Sequence, residues 1–266
     1  MEAAVNDCVC YYPECLATLV IPSKLSNPPV NMSSSSFFPS LTKLSHSESY
    51  PAISPSRPEL SVKGKAVVIT GGGSGIGASI AKAFASGGST KIAIISRTEK
   101  NLLATKHAIE EEFIGTEVLA VSADITNVRQ VEDAFLKISQ SFKKIDVLVC
   151  NSASLPVPQP VLSPGFDVQD WWTGFNTNIL GALYTVKGFI KYASEGAHIL
   201  NVSTCLSHMP PLEAGVSAYV ASKAAAAKLF DFIAFENPEL HIVNVHPGLV
   251  DTETSRRCGH GGIDHS

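Results

Sequence analysis

None of the six cysteines in this 266-residue chain pairs as C-x-x-C: Cys8, Cys10, Cys15, Cys150, Cys205 and Cys258 are scattered. That excludes a zinc ribbon and a thioredoxin-like redox motif. Residues 8–15 also lack the turn-flanked ligand spacing of tetrahedral zinc, so no metal is expected. Charge is scarce, at 17% of residues, and the formal net charge of −4 leaves no basic stripe for nucleic acid. No apolar run approaches the ~18 residues needed to cross a bilayer. A basic secretory n-region is missing too, since Glu2, Asp7 and Glu14 stand there instead. The expectation is a cytoplasmic protein without membrane or nucleic-acid partners.

What is present divides the chain in two. Residues 1–60 include a Ser/Pro-rich stretch from Met32 with neither helical nor strand period. Such composition buries too little apolar surface to offset the entropy lost on ordering, so 1–60 reads as a disordered leader. Met32 reads as an alternative start. From residue 61 to 266, short continuous apolar runs alternate with longer amphipathic ones. The runs are 65–70 (KAVVIT), 91–96 (KIAIIS), 117–122 (EVLAVS), 145–150 (IDVLVC), 198–203 (HILNVS) and 240–246 (LHIVNVH). Val/Ile-rich runs without polar alternation suit strands buried on both faces, as in a parallel sheet. Helices are expected near 75–86, 98–113, 127–142, 168–194 and 217–235, with Asn127 as an N-cap and Pro238 as a stop. The expected fold class is α/β: one domain with a doubly wound parallel (Rossmann) sheet.

The first run leads directly into Thr70-Gly71-Gly72-Gly73-Ser74-Gly75-Ile76-Gly77. Glycines between a buried strand and a helix let the backbone turn tightly and approach a pyrophosphate, to which the helix offers its N-terminal amides. At the end of the second strand, Ser96 fills the position where a carboxylate would hold the ribose of NAD, and Arg97 follows. A guanidinium binds a 2′-phosphate that a carboxylate would repel, which favours NADP(H) over NAD(H).

Tyr219-Val220-Ala221-Ser222-Lys223 places a phenol and an ammonium four residues apart, on one helix face. A tyrosine of pKa ~10 is a poor base at neutral pH. An ammonium ~4 Å away favours the phenolate by up to ~3 pKa units at an effective dielectric of ~20, before desolvation opposes it. That suffices to bring Tyr219 into range for proton transfer.

The loop spacing T-G-x-x-x-G-x-G and the Y-x-x-x-K pair together resemble the short-chain dehydrogenases/reductases over about residues 61–260. A nucleotide-sugar epimerase would share the pair but not the loop spacing. The resemblance implies that Gly71, Ser74, Gly75, Ile76 and Gly77 line the coenzyme loop, and that Asp124 holds the adenine. Tyr219 exchanges the substrate proton, and Lys223 binds the nicotinamide ribose. Asn178 supports a water-mediated proton relay. The family's Ser-Ser appears as Ser203-Thr204, with Thr204 the first choice for the hydroxyl that meets the reacting oxygen and Ser203 the alternate. Its N-N-A-G appears as Cys150-Asn151-Ser152-Ala153, in which Asn151 survives, whereas the closing glycine is Ala153 and would be strained if φ there is positive. Pro247, Val250 and Thr252 match the P-G loop beside the nicotinamide. The implied activity is hydride transfer between NADP(H) and a carbonyl or secondary alcohol of a small, hydrophobic metabolite. Trp171, Trp172, Phe175, Leu206, Met209, Pro210 and Pro211 are candidate lining. The chain stops soon after the P-G loop. The resemblance therefore implies a missing final helix and strand, an exposed sheet edge and a weakened homo-oligomer surface, with an inactive nucleotide-binding scaffold as the alternative.

Overall fold

A computed structural model of the chain describes residues 50–248 and 250–257. Met32, the cysteines at 8, 10, 15 and 258, and the leader up to residue 49 lie outside the described residues. Within the expected leader, two 3-10 turns form at Pro51–Ile53 and Pro58–Leu60, each opened by its proline.

Six strands form one sheet: β1 Ala66–Thr70, β2 Lys91–Ser96, β3 Glu117–Ser122, β4 Ile145–Cys150, β5 Ala193–Val202 and β6 His241–Val245. All neighbours pair in parallel, in the order β3-β2-β1-β4-β5-β6. The helices between them are α1 Gly75–Ser86, α2 Glu99–Glu112, α3 Val128–Phe142, α4 Val168–Phe175, α5 Ala182–Ile190 and α6 Ser217–Glu236, and a short α7, Glu253–Arg257, follows β6. This is the expected doubly wound fold.

Burial explains why the runs lack polar alternation. Every residue of β1 is buried. Val68 joins Leu148, Ile199, Phe135, Phe189 and Phe230 on one face of the sheet. Val67 and Ile69 join Ile92, Ile94, Val149, Ala81 and Leu102 on the other. Asn127 caps α3 as expected, its side chain accepting from the amides of Arg129 and Gln130. Strand order reverses between β1 and β4, so a crevice opens at their carboxyl ends, the usual ligand position in such sheets.

The expectation of one helix over 168–194 is corrected. A π turn at Asn176–Gly181 interrupts it, and α5 ends at Ile190. The chain then enters β5 five residues earlier than expected. Between the pairs Ile145↔Ala193 and Val147↔His198, the β5 side of the ladder carries extra residues. Gly196, at φ 64°, supplies the left-handed turn this bulge needs. Pairing with β4 captures a segment whose local pattern is compatible with helix. On the far side, β6 is the edge strand of the described sheet, with Val243 51% and Val245 38% exposed. No described helix is long and apolar enough to cross a membrane, and no described cluster of His, Cys, Asp and Glu is arranged to hold a metal.

Where β6 begins beside the middle of β5, His198 stacks on its cross-strand partner His241, ring centroids 4.7 Å apart. The Lys65–Asp146 ion pair, 3.2 Å long, contributes to the field at this pair. Burial, then the charges of His241 and Lys65, pull His198 below its ordinary value, against a smaller opposing pull from Asp146. Below about pH 6.5 the unfolded chain therefore takes up a proton that the folded chain resists, and stability falls. His198→Asn should lose less stability than the wild type between about pH 7.5 and 5.5 in urea unfolding. Equal losses would remove this histidine from the account.

Candidate active site

The crevice is built first from glycine. Gly71 and Gly75 have φ of 70° and 52°, a region that L-residues seldom adopt. A Cβ on Gly77 would lie 2.6 Å from Asn151 Nδ2 and closer still to the Gly71 carbonyl, so α1 can begin here only from a glycine. Asn151 holds the loop to β1: its Nδ2 donates to the Thr70 carbonyl (2.9 Å), and its backbone amide donates to Thr70 Oγ1 (3.0 Å). The amide of Ser152 shares that hydroxyl at 3.1 Å. At the start of α1, Ser74 is the N-cap, but its side chain caps nothing. The first amides of the helix, at Gly75, Ile76 and Gly77, have no intrahelical acceptor and suit an anion. These features fit a dinucleotide pyrophosphate.

Ser96 and Thr252, distant in sequence, lie against this loop. Ser96 is half-buried, and its Oγ would sit 2.9 Å from a Cβ on Gly73. Arg97 is exposed, its carbonyl accepting from Ser122 Oγ at 3.3 Å. Asp124 spends Oδ1 on the amide and hydroxyl of Thr126, at 2.9 and 2.8 Å. Thr252 lies across the loop, its Cγ2 3.4 Å from where a Cβ on Gly75 would be. It also opens α7, its Oγ1 accepting from the amide of Ser255 (3.1 Å). Pro247 and Val250 are exposed. Lys143 is the one non-glycine with positive φ among the described residues, so Ala153 carries no such strain.

The second half of the site comes from α6 and the end of β5. Tyr219 is half-buried, one helical turn before Lys223, which is 3% exposed. Lys223 Nζ donates to the Val202 carbonyl at 2.6 Å. Burial pulls this ammonium down to about 8, with the buried Cys150 thiol exerting a smaller opposite effect. Burial in turn pushes Cys150 up to about 12, so its sulfur is a neutral thiol and no nucleophile at neutral pH.

Asn178 sits within the π turn, 3% exposed. Its Nδ2 donates to the Ser154 carbonyl (3.0 Å) and Ser222 Oγ (2.8 Å), and its Oδ1 accepts from the Ser154 amide (2.7 Å). Both amide hydrogens are therefore committed to protein acceptors. Ser203 and Thr204 are both buried at the end of β5. Thr204 Oγ1 caps a 3-10 turn by accepting from Leu206 (3.3 Å), whereas Ser203 Oγ is buried with no partner. Both line a cavity of about 330 Å³ with Cys205, His208, Met209 and His246. A groove of about 340 Å³ between α2 and α3 is lined by none of the expected catalytic residues.

One expected lining residue acts on α6 itself: Trp171 Nε1 donates to Ser217 Oγ (3.0 Å) at the start of the helix, while its ring packs on Phe175 at 4.7 Å between centroids. Thr70, Ser154 and Ser222 were not expected from the sequence. Two of them had a signal, Thr70 as the first residue of T-G-x-x-x-G-x-G and Ser222 inside the Y-x-x-x-K motif.

The short chain dehydrogenase family model matches residues 65–261. The chain belongs to the short-chain dehydrogenase/reductase family. It is 35% identical over 228 residues to a short chain dehydrogenase/reductase of Claviceps purpurea, covering 82% of this chain and 74% of that one. It is 30% identical over 220 residues to the short chain dehydrogenase pigC of Monascus ruber, covering 80% and 71%. Its structure resembles a short chain dehydrogenase of Burkholderia cenocepacia solved in complex with NADP, with a TM-score of 0.66 and 26% identity over 77% of this chain and 79% of that one. The family is one of oxidoreductases that use a nicotinamide coenzyme on small molecules, and the glycine cradle fits that coenzyme.

Burial of Lys223 gives this member a measurable pH signature. Since the folded value is about 8 against an ordinary 10.5, the unfolded chain holds the extra proton between these limits, and stability rises with pH. Between about pH 7.5 and 10, unliganded wild type should gain roughly 2 kcal/mol relative to Lys223→Met in urea unfolding. A constant difference across that window would refute a depressed lysine.

Proposed function

We propose that this short-chain dehydrogenase/reductase transfers hydride between NADP(H) and a carbonyl or secondary alcohol of a small hydrophobic metabolite, with Tyr219 as general acid/base. The observation that carries the reading is Lys223, a nearly fully buried ammonium one turn from Tyr219, at the same sheet edge as the glycine loop. A buried charge of this kind is costly and suits a group that must tune a neighbour. When bound, the coenzyme supplies or accepts the hydride.

The chain's own residues manage position and proton. In the reducing direction Tyr219 gives its phenolic proton to the developing alkoxide, and in the oxidising direction it takes that proton back. Lys223 stabilises the phenolate by charge and offers its remaining ammonium hydrogens to the ribose. Thr204, with Ser203 as alternate, donates a hydrogen bond to the reacting oxygen. Ser203's unpartnered hydroxyl keeps it in contention. The amides of Gly75, Ile76 and Gly77 receive the pyrophosphate. Asn151 braces the loop, and Asp124 meets the adenine through the carboxylate oxygen not spent on Thr126. Asn178 contributes to proton relay through its place in the π turn, since its side-chain hydrogens are used elsewhere. Pro247, Val250 and Thr252 flank the nicotinamide. Ser96 in place of a carboxylate, the exposed Arg97, and the NADP bound to the Burkholderia relative support NADP(H) over NAD(H). The cavity beside Thr204, with Met209, supports an apolar substrate.

Calorimetric titration with NADPH and NADH, followed by turnover on a panel of aldehydes and ketones, tests the whole reading. NADPH should bind the more tightly, and Tyr219→Phe should abolish turnover while leaving NADPH affinity intact. Failure to bind either nucleotide overturns the reading. Binding without turnover by wild type would indicate a nucleotide-binding scaffold.

Arg97→Asp should weaken NADPH by about 10–100-fold, the worth of one charge-assisted contact, with NADH much less affected. Equal effects on both nucleotides would place Arg97 outside 2′-phosphate recognition.

A further inference from the structure

Ser222 is fully buried on α6, three residues after Tyr219 and one before Lys223. Its hydroxyl donates to the Tyr219 carbonyl at 2.9 Å and accepts from Asn178 Nδ2 at 2.8 Å. Asn178 in turn clasps both main-chain groups of Ser154 in the loop after β4. One chain of hydrogen bonds, fully buried at its Asn178–Ser222 link, thus joins that loop, the π turn and the catalytic helix. Positions 219, 222 and 223 share a helix face, so whatever fixes Ser222 fixes the rotation of α6 about its own axis.

The bridge has little tolerance. Turning α6 away breaks the bond to Asn178 and leaves a buried amide hydrogen unpaired, at the full desolvation cost of that group. The π turn is itself closely packed, and α4 lies in van der Waals contact with α6. A Cβ on Gly181 at the end of the π turn would lie 2.8 Å from Ile125, and one on Gly174 would lie 3.4 Å from the Ala218 carbonyl of α6. The π turn is what brings Asn178 to this height, in keeping with the functional placement of such interruptions.

We infer that Ser222 is a positioning residue: through Asn178 it sets the rotation of α6, and with it the approach of the Tyr219 phenol to the Lys223 ammonium, which the Val202 carbonyl anchors at the end of β5. The inference rests on the reading of Tyr219 as acid/base, but its test does not require turnover. The phenol is titrated by ultraviolet difference absorbance, with Tyr219→Phe as the reference that isolates its signal. In Ser222→Ala the midpoint should move upward by about one unit, because the phenolate loses part of the ammonium's field. Turnover should fall about tenfold at unchanged NADPH affinity. Asn178→Ala should shift the midpoint in the same direction, and the double variant should shift it no further than the larger single effect. Should Ser222→Ala not fold, Ser222→Cys, which is somewhat larger but keeps a weak donor and acceptor, should give a smaller shift of the same sign. A folded Ser222 variant with an unmoved midpoint, or additive shifts in the double variant, overturns the inference. A folded wild type that binds NADPH yet reduces nothing overturns the acid/base reading instead, and leaves the titration to judge Ser222.

Discussion

Thr70, Cys150 and Val202 end three neighbouring strands, and the parallel ladder holds them close together. The registers Ile69↔Val149 and Cys150↔Asn201 place the carboxyl ends of β1, β4 and β5 side by side. There the last backbone groups have no further strand to pair with and take other partners. Thr70 Oγ1 receives the amides of Asn151 and Ser152, the Thr70 carbonyl receives the Asn151 side chain, and the Val202 carbonyl receives Lys223. Each polar bond that completes a strand end also locates a residue of the site. A slip of one residue in β4 or β5 would send each side chain to the opposite packed face and displace the strand-end groups that locate the glycine loop and the lysine.

The lysine depends on that arrangement. An ammonium that is 3% exposed is held against burial by a hydrogen bond to a strand-end carbonyl. The fold carries this cost because the large apolar clusters on both sheet faces supply the stability. Burial of the charge and burial of the strands are therefore parts of one design. The glycines act similarly on the other side of the crevice, where backbone approaches backbone too closely for any side chain.

Much of this was legible in the residues. Unalternating Val/Ile runs announced strands covered on both faces, and the glycine string announced the tight turn between β1 and α1. Five of the strands lie within a residue or two of their runs. The exception, β5, shows the limit: residues 193–197 have no strand pattern of their own and are recruited by pairing with β4 around Gly196. The π turn was likewise invisible, since one extra residue in a helical repeat leaves the apolar periodicity of 168–190 almost unchanged. At the site, Tyr219 and Lys223 were readable because their spacing is local. Asn178's partners were not, because they lie 24 and 44 residues away.

The amino-acid sequence by itself determined the class of fold, the glycine loop and the tyrosine–lysine pair, because each is written in short-range spacing: period, glycine placement, a single helical turn. Only the tertiary structure decided that Asn151 braces the glycine loop, that Lys223 is buried, that Thr252 lies against Gly75, and that Ser222 and Asn178 share one hydrogen-bonded chain. Those facts depend on which strand ends and helix faces become neighbours. Neighbourhood of that kind is set by burying the whole sheet at once, and no local stretch of residues encodes it.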